Sequence, residues 1–314
     1  MATSGSRHEL VLELAAALRD EIAPELGDHA GRAHSGAGKG GDITFAIDER
    51  AEAFMESFVA KHAPDVAFYS EDRGLVAPHE RANWVLVVDP IDGTRPAMAG
   101  LEAACVSVAS ARLDAERQAR MGDVVTGCVV EIKSGRTFVA ERGGGLEPRP
   151  SLSSTRELSR MFWAYGLRGR PVRVIAEVLG ELIDASSVGG ATFDLGSATY
   201  DMTRIVTGQL DAYIEPGPRI VSDVAGMREE FERVGDGAVL NNSPYDLAAA
   251  ALILEEAGAV VTDAYGVPLA ERALLGSGAE FQISCVAAAN RELHEAILRE
   301  LDLGIERFAR ITSP

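Results

Sequence analysis

The feature that most constrains the fold is a short apolar run that ends abruptly in acidic residues. Residues 84–88 read Trp-Val-Leu-Val-Val, and the chain continues as Asp89-Pro90-Ile91-Asp92-Gly93-Thr94. An apolar run of this length, bounded by turn-forming residues, predicts a buried β-strand. The strand would deliver the Asp89 carboxylate at its C-terminal end, and Asp92, three residues on, can face the same point.

An acidic turn of this kind suits a hard divalent cation. Magnesium takes oxygen ligands and usually binds one or two carboxylates while keeping water and substrate oxygens. The Ile91 carbonyl can join the two carboxylates, and Gly93 allows close backbone approach. If Thr94 begins a helix, the backbone N–H groups of the first helical turn would be free to hold a phosphate. The same residues are ordinary turn formers, so on their own they leave a metal site and a plain turn both open.

The charge of the chain limits its partners. The 314 residues include 30 Lys+Arg and 48 Asp+Glu, which gives a formal net charge of −18. This charge repels nucleic acids and anionic membrane surfaces, so neither is an expected partner. An anionic substrate would need a local reversal of the field, and a bound divalent ion supplies one.

Cysteine usage and the absence of targeting signals predict a cytoplasmic location. Cys105, Cys128 and Cys285 are far apart, odd in number and set in apolar surroundings, which favours buried free thiols. The N-terminal residues lack a signal-peptide pattern, and no run of about 18 apolar residues predicts a membrane span.

The order of elements indicates a layered α/β protein with two units. Apolar spacing predicts helices at 8–26, 47–60, 171–184, 197–208, 245–257 and 290–301, and strands at 84–88, 104–112, 124–133, 136–141, 210–214, 259–262 and 281–286. Residues 29–41 are predicted to be a loop. The glycine run 143–145, followed by Pro148 and Pro150, predicts a boundary between units 1–147 and 148–314.

Several blocks of sequence, in order, carry a resemblance to a known family. They are Gly41-Asp42-Ile43-Thr44 through Asp48, Ser70-Glu71-Asp72, residues 84–94, Gly196-Ser197-Ala198, Gly208 through Glu215, Tyr245-Asp246 through Ala249, and Glu256-Ala257-Gly258. Together they resemble the inositol monophosphatase family of lithium-sensitive, magnesium-dependent phosphatases, from about residue 10 to residue 300. The resemblance implies an αβαβα layered sandwich with two lobes, a site between the lobes, and a homodimer as the common assembly of relatives.

The resemblance also implies a role for each matching residue. Glu71, Asp89 and the Ile91 carbonyl would hold one Mg²⁺ ion, and Asp89, Asp92 and Asp246 a second. Glu71 could help place a third ion through water. Thr94, supported by Asp48, would orient or deprotonate the attacking water. The Gly93 and Thr94 amides would hold the phosphate, and Gly196, Ser197, Ala198 and Glu215 would line the substrate pocket. Asp48 has an alternative role as the N-terminal cap of its helix.

The sequence departs from the family's pattern around the substrate pocket. Phe193 and Asp194 stand where many relatives carry arginine, and Tyr245 replaces a tryptophan. Residues 216–244 form an insertion between Glu215 and Asp246, with a predicted helix at 222–233. This insertion could be a lid that selects the substrate, or a surface elaboration or subunit contact.

The function expected from these observations is hydrolysis of a small phosphate monoester. A cyclitol or sugar phosphate such as inositol 1-phosphate or fructose 1,6-bisphosphate is the leading substrate class. Histidinol-phosphatase and 3′-nucleotide phosphatase activities are alternatives on the same site. A catalytically silent regulatory or partner-binding protein is an alternative of another class.

Overall fold

The chain begins with two helices that flank a small β-hairpin. The computed structural model describes residues 4–28, 34–37, 43–79 and 82–312. Its first elements are α1 (Ser4–Ile22), β1 (His34–Ala37), β2 (Ile43–Phe45) and α2 (Ala46–His62). Both predicted helices are confirmed. The predicted loop is wrong at 34–37, because that segment pairs antiparallel with β2. The rest of the predicted loop, 29–33 and 38–41, lies outside the described residues, and so does Asp42.

A six-stranded sheet follows, and the apolar run lies near its centre. The elements are β3 (Ala67–Ser70), β4 (Gly74–Val76), β5 (Trp84–Asp92), α3 (Thr94–Ala99), β6 (Cys105–Arg112), β7 (Val124–Glu131) and β8 (Thr137–Glu141). Their order in the sheet is β4-β3-β5-β6-β7-β8. Strand β5 pairs parallel to β3 and antiparallel to β6, so both of its edges are covered. This central position explains why its residues 85–91 are all buried.

The remaining residues form a five-stranded sheet and its helices. The elements are β9 (Phe162–Tyr165), α4 (Val172–Ser186), β10 (Ala191–Phe193), α5 (Ala198–Val206), β11 (Ala212–Glu215), α6 (Gly217–Asp223), α7 (Met227–Val234), α8 (Pro244–Ala257), β12 (Val260–Thr262), β13 (Cys285–Ala288) and α9 (Arg291–Thr312). The strand order is β10-β9-β11-β13-β12. The predicted strand at 281–286 begins later, at Cys285, because the Ile283 amide donates instead to the Asn242 carbonyl (2.9 Å).

The two sheets and their helices stack in five layers. Helices α1 and α2 pack on the outer face of the first sheet, and α4 and α9 on the outer face of the second. Helices α5 and α8 lie between the sheets, in a core that includes residues of both. Residues 247–254 of α8 are buried all round, as expected for a helix with sheet on either side. The predicted αβαβα sandwich is confirmed. The boundary at 147/148 stays a prediction, since the halves share this helical layer.

The 216–244 insertion packs against the second lobe. The predicted single helix is wrong, because Gly226 has φ +78° and separates α6 from α7. Ile220, Met227 and Phe231 lie in the core with α4 and α9. The insertion is therefore mainly a packed elaboration, and its residues 240–242, close to its end, reach the pocket described below.

The prediction of buried free thiols is confirmed within the described residues. All three cysteines are buried and free. No helix in the described part of the chain is long and apolar enough to cross a membrane.

Candidate active site

Strand β5 brings two carboxylates to one side through a β-bulge. The strand continues past its predicted end to Asp92, so the acidic segment is the last part of a strand rather than a free turn. Asp89 pairs opposite Ser107 and Asp92 opposite Cys105, so three steps on β5 match two on β6. Residues three apart face opposite sides of a regular strand. The extra residue of the bulge turns Asp92 to the side that Asp89 faces.

A third carboxylate comes from the beginning of α8. Asp246 accepts a hydrogen bond from the Ser243 amide (2.6 Å), so it caps the helix and is held in place by the same contact. One oxygen each from Asp89, Asp92 and Asp246 lies within 4.8 Å of the others. Helix α5 orients Asp92, whose Oδ2 accepts from Ser197 Oγ (2.8 Å) and the Thr199 amide (2.6 Å). The sequence prediction that these three residues meet is matched by their positions.

Burial raises the pKa of all three carboxyls, and repulsion from neighbouring carboxylates raises it further for Asp89 and Asp246. Burial is the largest cause for each; for Asp89, whose pKa is raised well above its usual range, repulsion from Asp92 and Asp246 follows. The pKa of Asp246 is raised to about 7, by burial and then by Asp92, and that of Asp92 is also raised. A divalent cation would remove this repulsion. An all-oxygen donor set of carboxylates fits a hard ion such as Mg²⁺.

The three carboxyls lie in a cleft of about 550 Å³, which we call the metal cleft. Its lining residues are Asp48, Glu71, Asp72, Asp89, Ile91, Asp92, Gly93, Thr94, Arg95, Arg168, Gly196 and Asp246. All of the predicted metal-binding and catalytic residues are among them. Glu71 lies on the turn between β3 and β4, and within the described residues it is not part of the 4.8 Å group.

A buried glutamate that the sequence reading missed supports the turn that carries Glu71. Glu52, on α2, accepts hydrogen bonds from Ser70 Oγ (2.8 Å) and the Asp72 amide (3.4 Å). Its side chain is buried, and burial raises its pKa to about 7. The available signal was its position four residues after Asp48, one turn along the same helix.

Thr94 and Asp48 form a direct pair at the edge of the metal cleft. Thr94 is the first residue of α3, and its Oγ1 donates to Asp48 Oδ1 (2.9 Å), with the Ile91 carbonyl at 3.2 Å. The other oxygen of Asp48 accepts from the Phe45 amide (2.9 Å) at the start of α2. Asp48 therefore makes both contacts that the sequence left open, the helix cap and the contact with Thr94.

Two glycines and the beginning of α5 shape the wall of the metal cleft. Gly93 has φ +90°, and a Cβ there would lie 2.5 Å from the Ala103 carbonyl oxygen, so no side chain fits. Gly196 precedes Ser197, which caps α5 by accepting from the Tyr200 amide (3.1 Å). Thr199, which the sequence reading did not single out, links two of the carboxylate segments: its amide binds Asp92 and its hydroxyl donates to the Asp246 carbonyl (3.0 Å).

Comparison with known proteins identifies the family. The model of the inositol monophosphatase family matches residues 7–305. The chain belongs to the inositol monophosphatase family. The fructose-1,6-bisphosphatase/inositol-1-monophosphatase of Methanothermobacter thermautotrophicus is 29% identical over 276 residues, 85% of this chain and 86% of that protein. The Nus factor SuhB of Vibrio cholerae is 25% identical over 229 residues, 72% of this chain and 73% of that protein.

A solved structure supports the fold of this inositol monophosphatase family member. The IMPase of Thermotoga maritima superposes with a TM-score of 0.67, covering 96% of this chain and 98% of its own, at 21% identity. The resemblance recognised from the sequence blocks is thereby confirmed for family and fold.

Glu215 is buried at the end of β11 in this family member. The resemblance assigns this residue to a substrate hydroxyl, but its side chain is fully buried. One carboxylate oxygen pairs with the buried Arg170, and the other accepts from the Gly217 amide (2.8 Å). Both oxygens of Glu215 therefore have partners within the protein.

A second pocket of about 470 Å³ adjoins the metal cleft, and we call it the adjoining pocket. Its lining residues are Asp92, Gly166, Leu167, Arg168, Arg170, Asp194, Gly196, Ser197, Ala198, Asp201, Tyr213, Leu240, Asn241, Asn242 and Asp246. It contains the predicted pocket residues Gly196, Ser197 and Ala198 but not Glu215, and Phe193 lines a different surface groove. The sequence reading missed Arg168 and Arg170. The sequence signal for them is a pair of arginines shortly after β9, a strand that the sequence analysis did not predict.

Proposed function

We propose that this protein is a magnesium-dependent phosphatase that hydrolyses a small phosphate monoester, a cyclitol or sugar phosphate such as inositol 1-phosphate or fructose 1,6-bisphosphate. The observation that carries the proposal is the cluster of three carboxylates, from Asp89, Asp92 and Asp246, in the same cleft as the Thr94–Asp48 pair. Membership of a family that includes phosphatases supports it.

The metal ligands in this proposal are the residues that line the metal cleft. Asp89, Asp92, Asp246 and Glu71, with the Ile91 carbonyl, would hold two or three Mg²⁺ ions. When bound, magnesium polarises the phosphate and neutralises the charge on its oxygens. The protein itself brings together carboxyls whose pKa values are raised by burial and, for Asp89 and Asp246, by repulsion as well. This arrangement favours a cation.

The reacting water would be oriented by Thr94. Asp48 accepts the Thr94 hydroxyl hydrogen, which leaves the Oγ1 lone pairs to accept a hydrogen bond from the water. The Gly93 and Thr94 amides would hold the phosphate. Gly196 lines both the metal cleft and the adjoining pocket, and Ser197 and Ala198 line the adjoining pocket, where the leaving group would fit. A homodimer and a cytoplasmic location, which the sequence analysis expected, remain part of the proposal.

Histidinol-phosphatase and 3′-nucleotide phosphatase activities are the alternatives within this chemistry. The metal cleft would serve each of them equally, because its residues would hold the ions and the phosphate rather than the leaving group.

A catalytically silent regulatory protein is the alternative of another class. Its support is the similarity to the Vibrio cholerae protein named Nus factor SuhB. Against it stands the full set of Glu71, Asp89, Asp92, Asp246 and Thr94, since a protein without turnover has no need to keep all five.

Phosphate release from a panel of monoesters tests the proposal. The panel contains inositol, fructose, histidinol and nucleotide phosphates, assayed with Mg²⁺, with EDTA, and with Mg²⁺ plus Li⁺. We expect Mg²⁺-dependent turnover that Li⁺ inhibits. Asp89→Asn should lower kcat by about 100-fold or more, because it removes a shared ligand charge. Asp20→Asn, an exposed aspartate on α1, is the matched control and should keep wild-type turnover. If wild type and Asp89→Asn are equally inactive on every monoester, the phosphatase proposal is wrong.

A further inference from the structure

The 216–244 insertion forms one wall of a large cavity in the second lobe. Its lining residues between 218 and 241 belong to the insertion, and those between 265 and 284 belong to the segment that leads into β13. The volume of this space, which we call the insertion cavity, is about 790 Å³, within the range of small-ligand sites. Among the residues that the structure describes, it shares Asn241 alone with the adjoining pocket and none with the metal cleft. It is therefore a candidate ligand site apart from the active site.

The charges that line the insertion cavity are mainly positive. Arg219, Arg228 and Arg272 line it, against a single carboxylate from the exposed Glu280. This excess of cations is local, because the whole chain has 30 Lys+Arg and 48 Asp+Glu. A concave surface lined by one sign of charge concentrates ions of the opposite sign. The lining therefore favours an anionic ligand.

Arg219 is held by the protein and contributes little net charge. Its Nε lies 3.2 Å from Asp223 and its Nη1 lies 2.6 Å from Asp302, so two carboxylates offset it. Its guanidinium carbon lies 4.6 Å from the centroid of the Tyr265 ring, and the Tyr265 hydroxyl donates to Asp223 (2.7 Å). These contacts fix the orientation of the tyrosine ring, which lines the cavity and is partly exposed.

Arg228 and Arg272 keep donors that a ligand can use. Arg272 binds the buried Asp263 through Nη2 (2.5 Å), which offsets its charge, but 47% of its side chain is exposed and its guanidinium has further N–H groups. Arg228, on α7, is 55% exposed, and its Nη1 is 3.8 Å from Glu232, too far for a hydrogen bond. Arginine side chains of this kind bind phosphate and carboxylate oxygens well.

Apolar surface also lines the insertion cavity. Val221, Val239 and Ala279 contribute to the wall, together with the Tyr265 ring. An aromatic ring of a ligand can stack on a tyrosine ring and remove apolar surface from water against aliphatic side chains. A ligand that fits both parts of the lining has a flat apolar body and an anionic group.

We propose that the insertion cavity is a second ligand site, which takes a small organic anion with an aromatic or other flat apolar body. Arg228 and Arg272 bind the anionic group, and Tyr265 packs against the body. The site does not depend on phosphate hydrolysis, because none of these three residues lines the metal cleft or the adjoining pocket.

Binding of phenylphosphonate to the metal-free protein tests this site. The probe has a flat ring and an anionic group, and it contains no phosphate ester, so a phosphatase does not consume it. EDTA keeps the metal cleft free of cations, and the carboxylates there then repel the probe. Isothermal titration calorimetry at low salt should give a Kd of about 1 mM or tighter. Methylphosphonate, which lacks the ring, should bind about 5-fold more weakly.

Three variants locate the bound probe. Arg228→Gln should weaken phenylphosphonate binding about 10-fold, because it removes the guanidinium whose charge is least offset. Arg233→Gln removes the same charge from an exposed position on the same helix that does not line the cavity, so it is the matched control and should keep the wild-type Kd. Tyr265→Leu should weaken phenylphosphonate binding about 5-fold and leave methylphosphonate binding unchanged. Circular dichroism checks that each variant is folded.

Two results would overturn the site. One is no measurable binding of phenylphosphonate to wild type up to about 10 mM, and the other is an equal Kd in wild type and Arg228→Gln, which would place the probe elsewhere. Equal affinities for phenylphosphonate and methylphosphonate in wild type would overturn the assigned ligand class. None of these measurements involves Mg²⁺ or turnover, so their failure leaves the proposed phosphatase function unaffected.

Discussion

Thr94 illustrates how much of this site depends on one hydroxyl. Its oxygen lies 2.9 Å from Asp48 Oδ1 and 3.2 Å from the Ile91 carbonyl oxygen, and it can donate its single hydrogen to only one of them at a time. Donation to a carboxylate is the stronger of the two bonds. Asp48 therefore sets the direction of the hydroxyl, and with it the direction of the lone pairs that face the metal cleft.

Removal of this hydroxyl should affect the chemical step more than substrate binding. Thr94→Val keeps the shape of the side chain but can neither donate nor accept, and we expect kcat to fall about 100-fold with little change in KM. Thr94→Ser keeps the hydroxyl and serves as the matched control, with most of the activity retained. Steady-state kinetics at saturating Mg²⁺ measures both. Wild-type kcat in Thr94→Val would exclude a role for the hydroxyl in orienting water.

At the scale of elements, the first turns of two helices supply two of the site's carboxylates. Asp48 caps α2 and Asp246 caps α8, each by accepting a backbone amide hydrogen three residues earlier. The first turn of a helix favours negative charge, so a carboxylate can be kept there at low cost in stability. Glu52 lies one turn further along α2, where the helix beginning no longer stabilises a negative charge. Burial is the main cause of its raised pKa.

The raised pKa of Glu52 predicts a pH-dependent cost in stability. Its pKa is about 7 in the folded protein against a usual 4.5, so the folded state favours the protonated form. The stability contributed by protonated Glu52 is fully present below its pKa in the unfolded chain, and it is lost as pH rises through about 7, its pKa in the folded protein. Glu52→Gln cannot ionise, so it should not lose this stability. The difference in free energy of unfolding between Glu52→Gln and wild type should therefore increase in favour of the variant by up to about 3 kcal/mol from about pH 5 to about pH 8.

Urea unfolding at several pH values measures the effect of Glu52→Gln. Glu49→Gln removes one charge from an exposed position on the same helix and is the matched control, with no comparable change across this range. Parallel stability curves for Glu52→Gln and wild type would mean that Glu52 ionises as freely as a surface carboxyl.

At the scale of the whole molecule, the site exists only where the layers meet. The first sheet contributes Asp89 and Asp92, the shared helical layer contributes Asp246 and Ser197, and the loop after β9 contributes Arg168. The site concentrates carboxylates within a chain of net charge −18. Its electrostatic repulsion is therefore a property of the assembled fold, and cation binding should be coupled to the stability of that fold.

Magnesium should stabilise the protein more at higher pH. Because the pKa of Asp246 is raised to about 7, the metal-free fold loses stability as pH rises through that value, and protons compete with the ion below it. At about 10 mM Mg²⁺, we expect a rise in Tm of about 5 °C at pH 8, relative to EDTA, and a smaller rise at pH 6.

Thermal unfolding of wild type and Asp246→Asn measures this coupling between metal and stability. The variant lacks the carboxyl that titrates near neutrality, so most of its Mg²⁺-dependent rise should disappear, along with the pH dependence of that rise. An equal effect of Mg²⁺ at both pH values in wild type would contradict proton competition at these carboxyls.

From local patterns, the sequence by itself indicated alternating strands and helices and a compact acidic motif between residues 84 and 94. The resemblance of its sequence blocks to the inositol monophosphatase family implied the five-layer fold and the metal-binding roles of Glu71 and Asp246. Tertiary structure alone decided the bulge that aligns Asp89 with Asp92, the partners of Glu215, and the position of Arg168 beside the metal cleft. Arg170 and Glu215 are 45 residues apart. They meet because β9 and β11 are parallel neighbours, so the loop after β9 and the end of β11 lie at the same edge of the sheet. Local propensity does not specify which strands become neighbours. The residues that line the adjoining pocket could therefore not be predicted from the sequence.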